Sequence, residues 1–398
     1  MPTSCLFPDP DLIAWLRFAQ EPGLPPRAAL ALLQHGGPPA QIYQQSASEL
    51  GRWLAPGLAL QLSRAPSAHQ AEQLAHTLAW LQASPRRHAI PLHHACYPER
   101  LRQLADPPLV LYLEGDPQAL ARPSLAIVGA RNATPAGLQN AQAFAQALAR
   151  AGWLIVSGLA RGIDAAAHLG ALAGAPAPLA TLAVLGCGPD IIYPARHAAL
   201  ARRIADQGAI VSDYPPGTPP LPGHFPRRNR LVAGLTLGTL VIEAALRSGS
   251  LVTARLAAEH NREVFALPGS IHAPLARGCH ALIRQGAKLV ETVADILEEL
   301  PPCPLPDTPA PPSPAPLAPQ PAQATGATPI SADATRLLPF LSDAPATLDT
   351  LVQGSAMGAA AISAALWELE IAGLATRTDT GAYQRLKGSG PLFPGHKP

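Results

Sequence analysis

Between Ser124 and Leu300, short apolar runs alternate with longer stretches in which apolar residues recur every three to four positions. The short runs predict strands near 125–129, 153–157, 180–186, 209–213, 239–243, 263–267 and 287–290. The periodic stretches predict helices over 135–151, 163–174, 196–207, 228–234, 251–261 and 278–285, with a last one at 293–299. Strands that alternate with helices build a parallel sheet covered on both faces. This region therefore reads as a Rossmann-like α/β core.

The flanking segments carry different patterns. From Asp11 to about Arg87, Leu12, Trp15, Leu16 and Ala19 lie at helical spacing, Gly23, Pro25 and Pro26 interrupt it, and residues 29–34 and 71–82 resume it. A small helical accessory unit is expected. A helix-hairpin-helix grip on DNA needs close glycines whose N–H groups approach phosphate. Gly23-Leu24-Pro25 offers one glycine and a proline that has no N–H. Residues 94–116 form a lead-in to the core, with a short helix after Tyr97-Pro98 and a strand at 109–113.

Pro301 to Thr328 is a Pro/Ala tract with Asp307 as its only charge, the composition of an extended, semi-rigid linker. Helical patterns at 331–341, 347–353 and 358–372 then precede a hairpin around Thr380-Gly381, which together suggest a winged helix. Its recognition helix carries Glu368 and Glu370 and no lysine or arginine, so phosphate attraction is missing there. A protein-binding or regulatory module is expected, with Trp367 and the leucines as its core. The domain plan is thus 1–87 helical, 88–300 core, 301–328 linker, 329–388 winged helix and 389–398 tail.

Composition narrows the class. The 398 residues hold 29 basic and 27 acidic side chains, a net charge of +2, so any nucleic-acid surface must be a local patch. Hydrophobic residues make up 48% and charged ones 14%, enough for a sizeable core. Cys5, Cys96, Cys187, Cys279 and Cys303 are scattered without metal-ligand spacing, which predicts a reduced, cytoplasmic chain with no structural zinc. The first twenty residues, with Asp9 and Asp11, do not read as a signal peptide. Ala165 to Cys187 imitates a membrane span, but Gly170, Gly174, Pro176 and Pro178 divide it into a helix and a buried strand, and no membrane association is expected.

Two strand–glycine–helix turns carry the candidate chemistry: Gly129-Ala130-Arg131-Asn132, and Ser157-Gly158-Leu159-Ala160-Arg161-Gly162-Ile163-Asp164. In a parallel sheet such turns sit at the carboxyl ends of the strands, where helix N-termini present free N–H groups to anions. A basic loop, His224-Phe225-Pro226-Arg227-Arg228-Asn229-Arg230, is the densest polar feature of the core. Guanidinium forks suit phosphate oxygens, and a ring beside them can stack on a base. Ser248-Gly249-Ser250 caps a further helix on the same rim. Asp164 is expected to brace its turn, His168 to be satisfied within its helix, and Glu243 to brace an arginine. The dinucleotide fingerprint and the P-loop lysine are missing, and Gly186-Cys187-Gly188 lacks a third glycine, so no cofactor and no catalytic residue are expected.

These strings together resemble the DNA-processing protein A family, DprA or Smf. The likeness runs through Ile127-Val-Gly-Ala-Arg131, Ser157 to His168, Val184-Leu-Gly-Cys-Gly188, Tyr193-Pro194, Pro215-Pro-Gly-Thr218, His224 to Arg230, Ser248-Gly-Ser250, Thr253-Ala-Arg255, Val264 to Gly269 and Arg277-Gly278. Cys279 and Pro25 depart from the pattern. The resemblance implies a helical N-terminal domain, a Rossmann-like core and a C-terminal winged helix. It also implies single-stranded DNA binding, a homodimer, and loading of the RecA recombinase during natural transformation. By position, Arg131 and the arginines after Phe225 would carry the family's DNA contacts, and the expected DNA-binding set is Gly129, Arg131, Ser157, Gly158, Arg161, Gly162, Phe225, Arg227, Arg228, Asn229, Arg230, Ser248, Gly249, Ser250 and Arg277. The runner-up is a nucleotide-processing enzyme of the lysine-decarboxylase-like phosphoribohydrolase type, whose glycine-rich stretch ends in a catalytic glutamate. Ser248 to Thr253 has no glutamate following it. A winged-helix transcription regulator is the second alternative.

Overall fold

The computed structural model describes residues 10–175, 179–303, 331–342, 344–378 and 381–386. Cys5, Pro176, Pro178, residues 304–330, Thr380 and the tail lie outside the described residues. Nine strands form one sheet: β1 (Arg87–Pro91), β2 (Val110–Gly115), β3 (Ser124–Val128), β4 (Leu154–Ser157), β5 (Thr181–Val184), β6 (Gly208–Ser212), β7 (Gly238–Val241), β8 (Glu263–Ala266) and β9 (Lys288–Leu289). Their order is β1-β2-β6-β5-β4-β3-β7-β8-β9. Pairs from β6 to β9 are parallel, as the alternation predicts, whereas β1 with β2 and β2 with β6 run antiparallel. The lead-in thus becomes part of the sheet. Arg87-His88-Ala89 has no apolar run to announce β1, because an edge strand is only partly buried.

Successive residues of each parallel strand alternate between two cores. Leu125, Ile127, Ile155, Leu240 and Phe265 face the Pro135–Arg150 and Ile163–Gly174 helices. Ala126, Val128, Leu154, Val156, Val241 and Ala266 face the other layer, with Leu231, Val232 and Leu235 of the His224–Leu235 helix and Leu282 of the Arg277–Arg284 helix. This period-two alternation is the geometry of the pleat. The chain steps outward from β3 to β6, then returns to the far side of β3 for β7, β8 and β9. The reversal opens a crevice at the carboxyl ends of the central strands, where ligands of open α/β sheets bind.

The longer N-terminal helices, Pro10–Ala19, Pro26–His35 and Ala68–Gln82, join the sheet through Trp15, Leu16, Leu33 and Trp80, which cluster with Val110 and Tyr112 of β2. Glu21 is buried among them and accepts hydrogen bonds from Arg17 Nε (3.3 Å), Tyr43 Oη (2.9 Å), Gln61 Nε2 (2.8 Å) and Gln70 Nε2 (2.9 Å). A buried carboxylate is tolerable only when its lone pairs are matched in this way.

Residues 332–337, 348–355 and 359–371 form helices, and β10 (Ala375–Arg377) pairs antiparallel with β11 (Tyr383–Arg385), giving the winged-helix pattern. Trp367 does not enter its core. It is 69% exposed and Ile371 is 65% exposed, while Ile362, Leu366 and Leu369 are buried. Ala359–Ile371 is apolar on nearly every face, so periodicity alone does not orient it. Among the described residues no helix is long and apolar enough to cross a membrane, and the apolar run from 165 divides into the Ile163–Gly174 helix and β5.

Candidate nucleic-acid interface

The two glycine turns meet. Gly162 has φ +75°, and a Cβ there would strike the carbonyls of Ala130 and Arg131. The Ile163 N–H donates to Ala130 O at 3.2 Å, which stitches the turn after β4 to the turn after β3. Gly129 lies at this junction, against Ile163 and the Glu243 carbonyl. Only a residue without Cβ reaches this conformation at such close quarters.

The segment expected as a basic loop is helical from its first residue, opening the His224–Leu235 helix. That changes what its arginines do, because consecutive helical residues point about 100° apart. Arg227 is exposed, and its guanidinium lies 5.9 Å from the Tyr214 ring, which stacks on His224 at 4.1 Å. Phe225 is half-buried, with the exposed Arg131 guanidinium 5.8 Å from its ring centre. Two arginine–aromatic pairs therefore share one helix start.

Arg228 and Arg230 point inward. Arg228 is 5% exposed, lies beneath Gly158, and donates from Nη1 to Val184 O. Its charge faces Asp164, whose carboxylate accepts from the N–H groups of Gly158 (3.1 Å) and Ala160 (3.4 Å). Burial pushes the Asp164 carboxyl above the usual range, opposed by Arg228 and those N–H groups. Asp164 thus braces its turn, as its position predicts. Arg230 donates to the Asp213 carboxylate at 2.7 Å and to the Asp106 carbonyl, so its charge is engaged inside the fold.

The remaining candidates divide similarly. Arg161 is exposed on the turn, whereas the Ser157 hydroxyl is buried and donates to Ile127 O at 2.7 Å. Asn229 Nδ2 donates to Gly249 O at 3.3 Å, tying the start of the Gly249–Glu259 helix to the His224 helix. Ser248 is the N-cap there and accepts from Ser250 N, while Ser250 Oγ lies 2.6 Å from Ser248 Oγ. Arg277 is exposed at the start of its own helix, which is fastened to the end of β7 by Gly278 N–H donating to Ala244 O at 2.8 Å. Arg131, Gly158, Gly162, Phe225 and Arg228 are brought together.

Two expectations need correction. His168 finds its partner outside its helix, with Nδ1 2.7 Å from Thr181 Oγ1 on β5. Burial, with Arg228 and His197 adding, pushes its pKa down to about 3. Glu243 braces no arginine. It accepts from the Thr134 N–H (2.9 Å) and hydroxyl (2.5 Å), and Thr134 in turn caps the Pro135–Arg150 helix. Burial raises the Glu243 pKa and the Thr134 hydrogen bonds oppose it. The residue pattern also gave no signal for Tyr214 as the ring beneath Arg227, because a tertiary contact alone pairs them.

A family model described as DNA recombination-mediator protein A matches residues 88–301, and one described as the DprA winged helix domain matches residues 306–379. Protein Smf of Escherichia coli strain K12 is 46% identical over 245 residues, which cover 61% of this chain and 64% of that protein, so the match spans just under two thirds of its length. DNA processing protein DprA of Streptococcus pneumoniae is 44% identical over 204 residues, covering 51% of this chain and 71% of that protein. The X-ray structure of DNA processing protein A from Streptococcus pneumoniae superposes with a TM-score of 0.62 at 34% identity, covering 73% of this chain and 98% of that one. On these matches, the chain belongs to the DNA recombination-mediator protein A family.

Proposed function

We propose that this chain binds single-stranded DNA, protects it, and loads the RecA recombinase onto it in natural transformation. The observation that carries the reading is the pairing of exposed Arg131 and Arg227 with the Phe225 and Tyr214 rings at one helix start. Guanidinium groups match phosphate oxygens without regard to sequence, and the half-buried Phe225 ring can stack on a base that a duplex keeps covered, whereas the buried Tyr214 ring seats Arg227. Phosphate and base contacts are assigned to Arg131, Arg161, Phe225, Arg227 and Arg277. Gly129, Ser157, Gly158, Gly162, Arg228, Asn229, Arg230, Ser248, Gly249 and Ser250 are assigned the shaping of the surface.

The proposal is binding without catalysis. Asp164 and Glu243, the carboxylates nearest the turns, are both engaged by backbone N–H groups, and His168 is buried against Thr181. A cytoplasmic homodimer and the domain plan at 87/88, 300/301 and 328/329 complete the reading.

Titration of fluorescent single- and double-stranded oligonucleotides at several salt concentrations tests it. The single strand should bind more tightly, with affinity falling steeply as salt rises, because arginine–phosphate contacts release counterions. Arg131→Ala should weaken binding and make the salt slope shallower by about one unit. Equal affinity of wild type and variant would overturn the assignment.

A further inference from the structure

Tyr193 lies at the edge of the same helix start. Its ring is 50% exposed and its centre is 5.5 Å from that of Phe225, the two planes tilted by 41°. Phe225 in turn carries the Arg131 guanidinium. The half-buried Phe225 ring is therefore neighbour to both a cation and an exposed ring.

The loop that holds Tyr193 is fixed from both sides. The Asp190 carboxylate accepts the Gly217 N–H with both oxygens, at 2.9 and 3.0 Å. Cys187 Sγ donates to Ile191 O at 3.0 Å, and beyond the tyrosine His197 Nδ1 lies 2.9 Å from Leu159 O, the residue after Gly158. A large ring left half in water on a braced loop loses little further freedom when a ligand covers it, which favours binding. Its apolar face is also the surface that gains most from being covered.

We propose that Tyr193 is a second base-stacking platform, receiving an unpaired base next to the one that meets Phe225 while Arg131 holds a flanking phosphate. This rests on the single-stranded DNA reading and deepens it. The site then recognises exposed bases as well as backbone charge, and a duplex is rejected because its bases have no free face.

Fluorescence anisotropy with the full chain tests this, using a labelled oligothymidylate and an abasic oligonucleotide of equal length and phosphate count. Wild type should favour the base-bearing strand. Tyr193→Ala should lower affinity for oligothymidylate at least about fivefold, the low end of base–aromatic stacking, with an unchanged salt slope. It should leave the abasic affinity unaltered, and Tyr193→Phe should restore wild-type behaviour. In Tyr193→Trp, added indole emission should be quenched by oligothymidylate and not by the abasic strand. Undiminished oligothymidylate affinity in Tyr193→Ala, or equal losses on both strands, would overturn the proposal. If Arg131→Ala still weakens binding in that case, the single-stranded DNA reading stands without it. If wild type binds neither strand, both fall.

Discussion

Arg228 lies directly beneath Gly158, its guanidinium filling the space that a methyl group at position 158 would occupy. The same guanidinium reaches the Val184 carbonyl at the end of β5 and faces the buried Asp164. One side chain therefore ties the ends of β4 and β5 to the His224–Leu235 helix, and the turn can close only because residue 158 has no side chain.

Gly158→Ala should drive Arg228 out of its seat. Overpacking a filled site costs about 1–3 kcal/mol, so the melting temperature should fall together with DNA affinity. Arg131→Ala, at an exposed position, should shift stability by no more than about 0.5 kcal/mol while still weakening binding. Calorimetric scans beside binding titrations separate the two, and matched losses of stability would contradict the division between shaping and contacting residues.

Arg230→Ala leaves the Asp213 carboxylate behind, and that side chain is only 4% exposed. An abandoned buried charge costs about 3–5 kcal/mol. Urea unfolding should show a large drop in midpoint for Arg230→Ala. An unchanged midpoint would show that the ion pair at 2.7 Å does not hold the helix to the segment after β6.

Acid should weaken the fold through His168. Its folded pKa is about 3 against an ordinary 6.5, so the unfolded chain takes up the proton first as pH falls. The stability present above pH 6.5 is then lost progressively toward pH 3, by at most about 1.4 kcal/mol per unit. Asp164 and Glu243 have raised pKa values, and their contribution runs the opposite way, lost as pH rises through them. The difference between wild type and His168→Asn isolates the histidine: the variant's stability should change less between pH 6.5 and 4, and parallel profiles would refute this.

In the winged helix, neighbours on one helix should respond in opposite fashion. Leu366 is fully buried, so Leu366→Ala should cost about 2–5 kcal/mol. Trp367→Ala, at an exposed position, should leave stability within about 0.5 kcal/mol. Chemical denaturation of the two variants in the full chain is the measurement. A larger loss from the tryptophan would return it to the core.

The sequence by itself determined the parallel core, because buried strands and their covering helices each impose a hydrophobic period that survives without coordinates. It determined the glycine turns too, since Gly158 and Gly162 stand where the chain needs close approach or positive φ. The winged-helix pattern was equally legible as three periodic segments and a hairpin, although the uniformly apolar Ala359–Ile371 helix concealed that Trp367 faces outward. Only the tertiary structure decided which of the clustered arginines face solvent. A run of basic residues carries no direction until the helix phase is set, and that phase is fixed by Leu231, Val232 and Leu235 packing on the sheet. With the phase set, Arg227 emerges over Tyr214 while Arg228 and Arg230 turn inward to Gly158 and Asp213. Partners such as Thr134 for Glu243, 109 residues apart, come together because the strand order reverses between β3 and β7, which local pattern cannot encode.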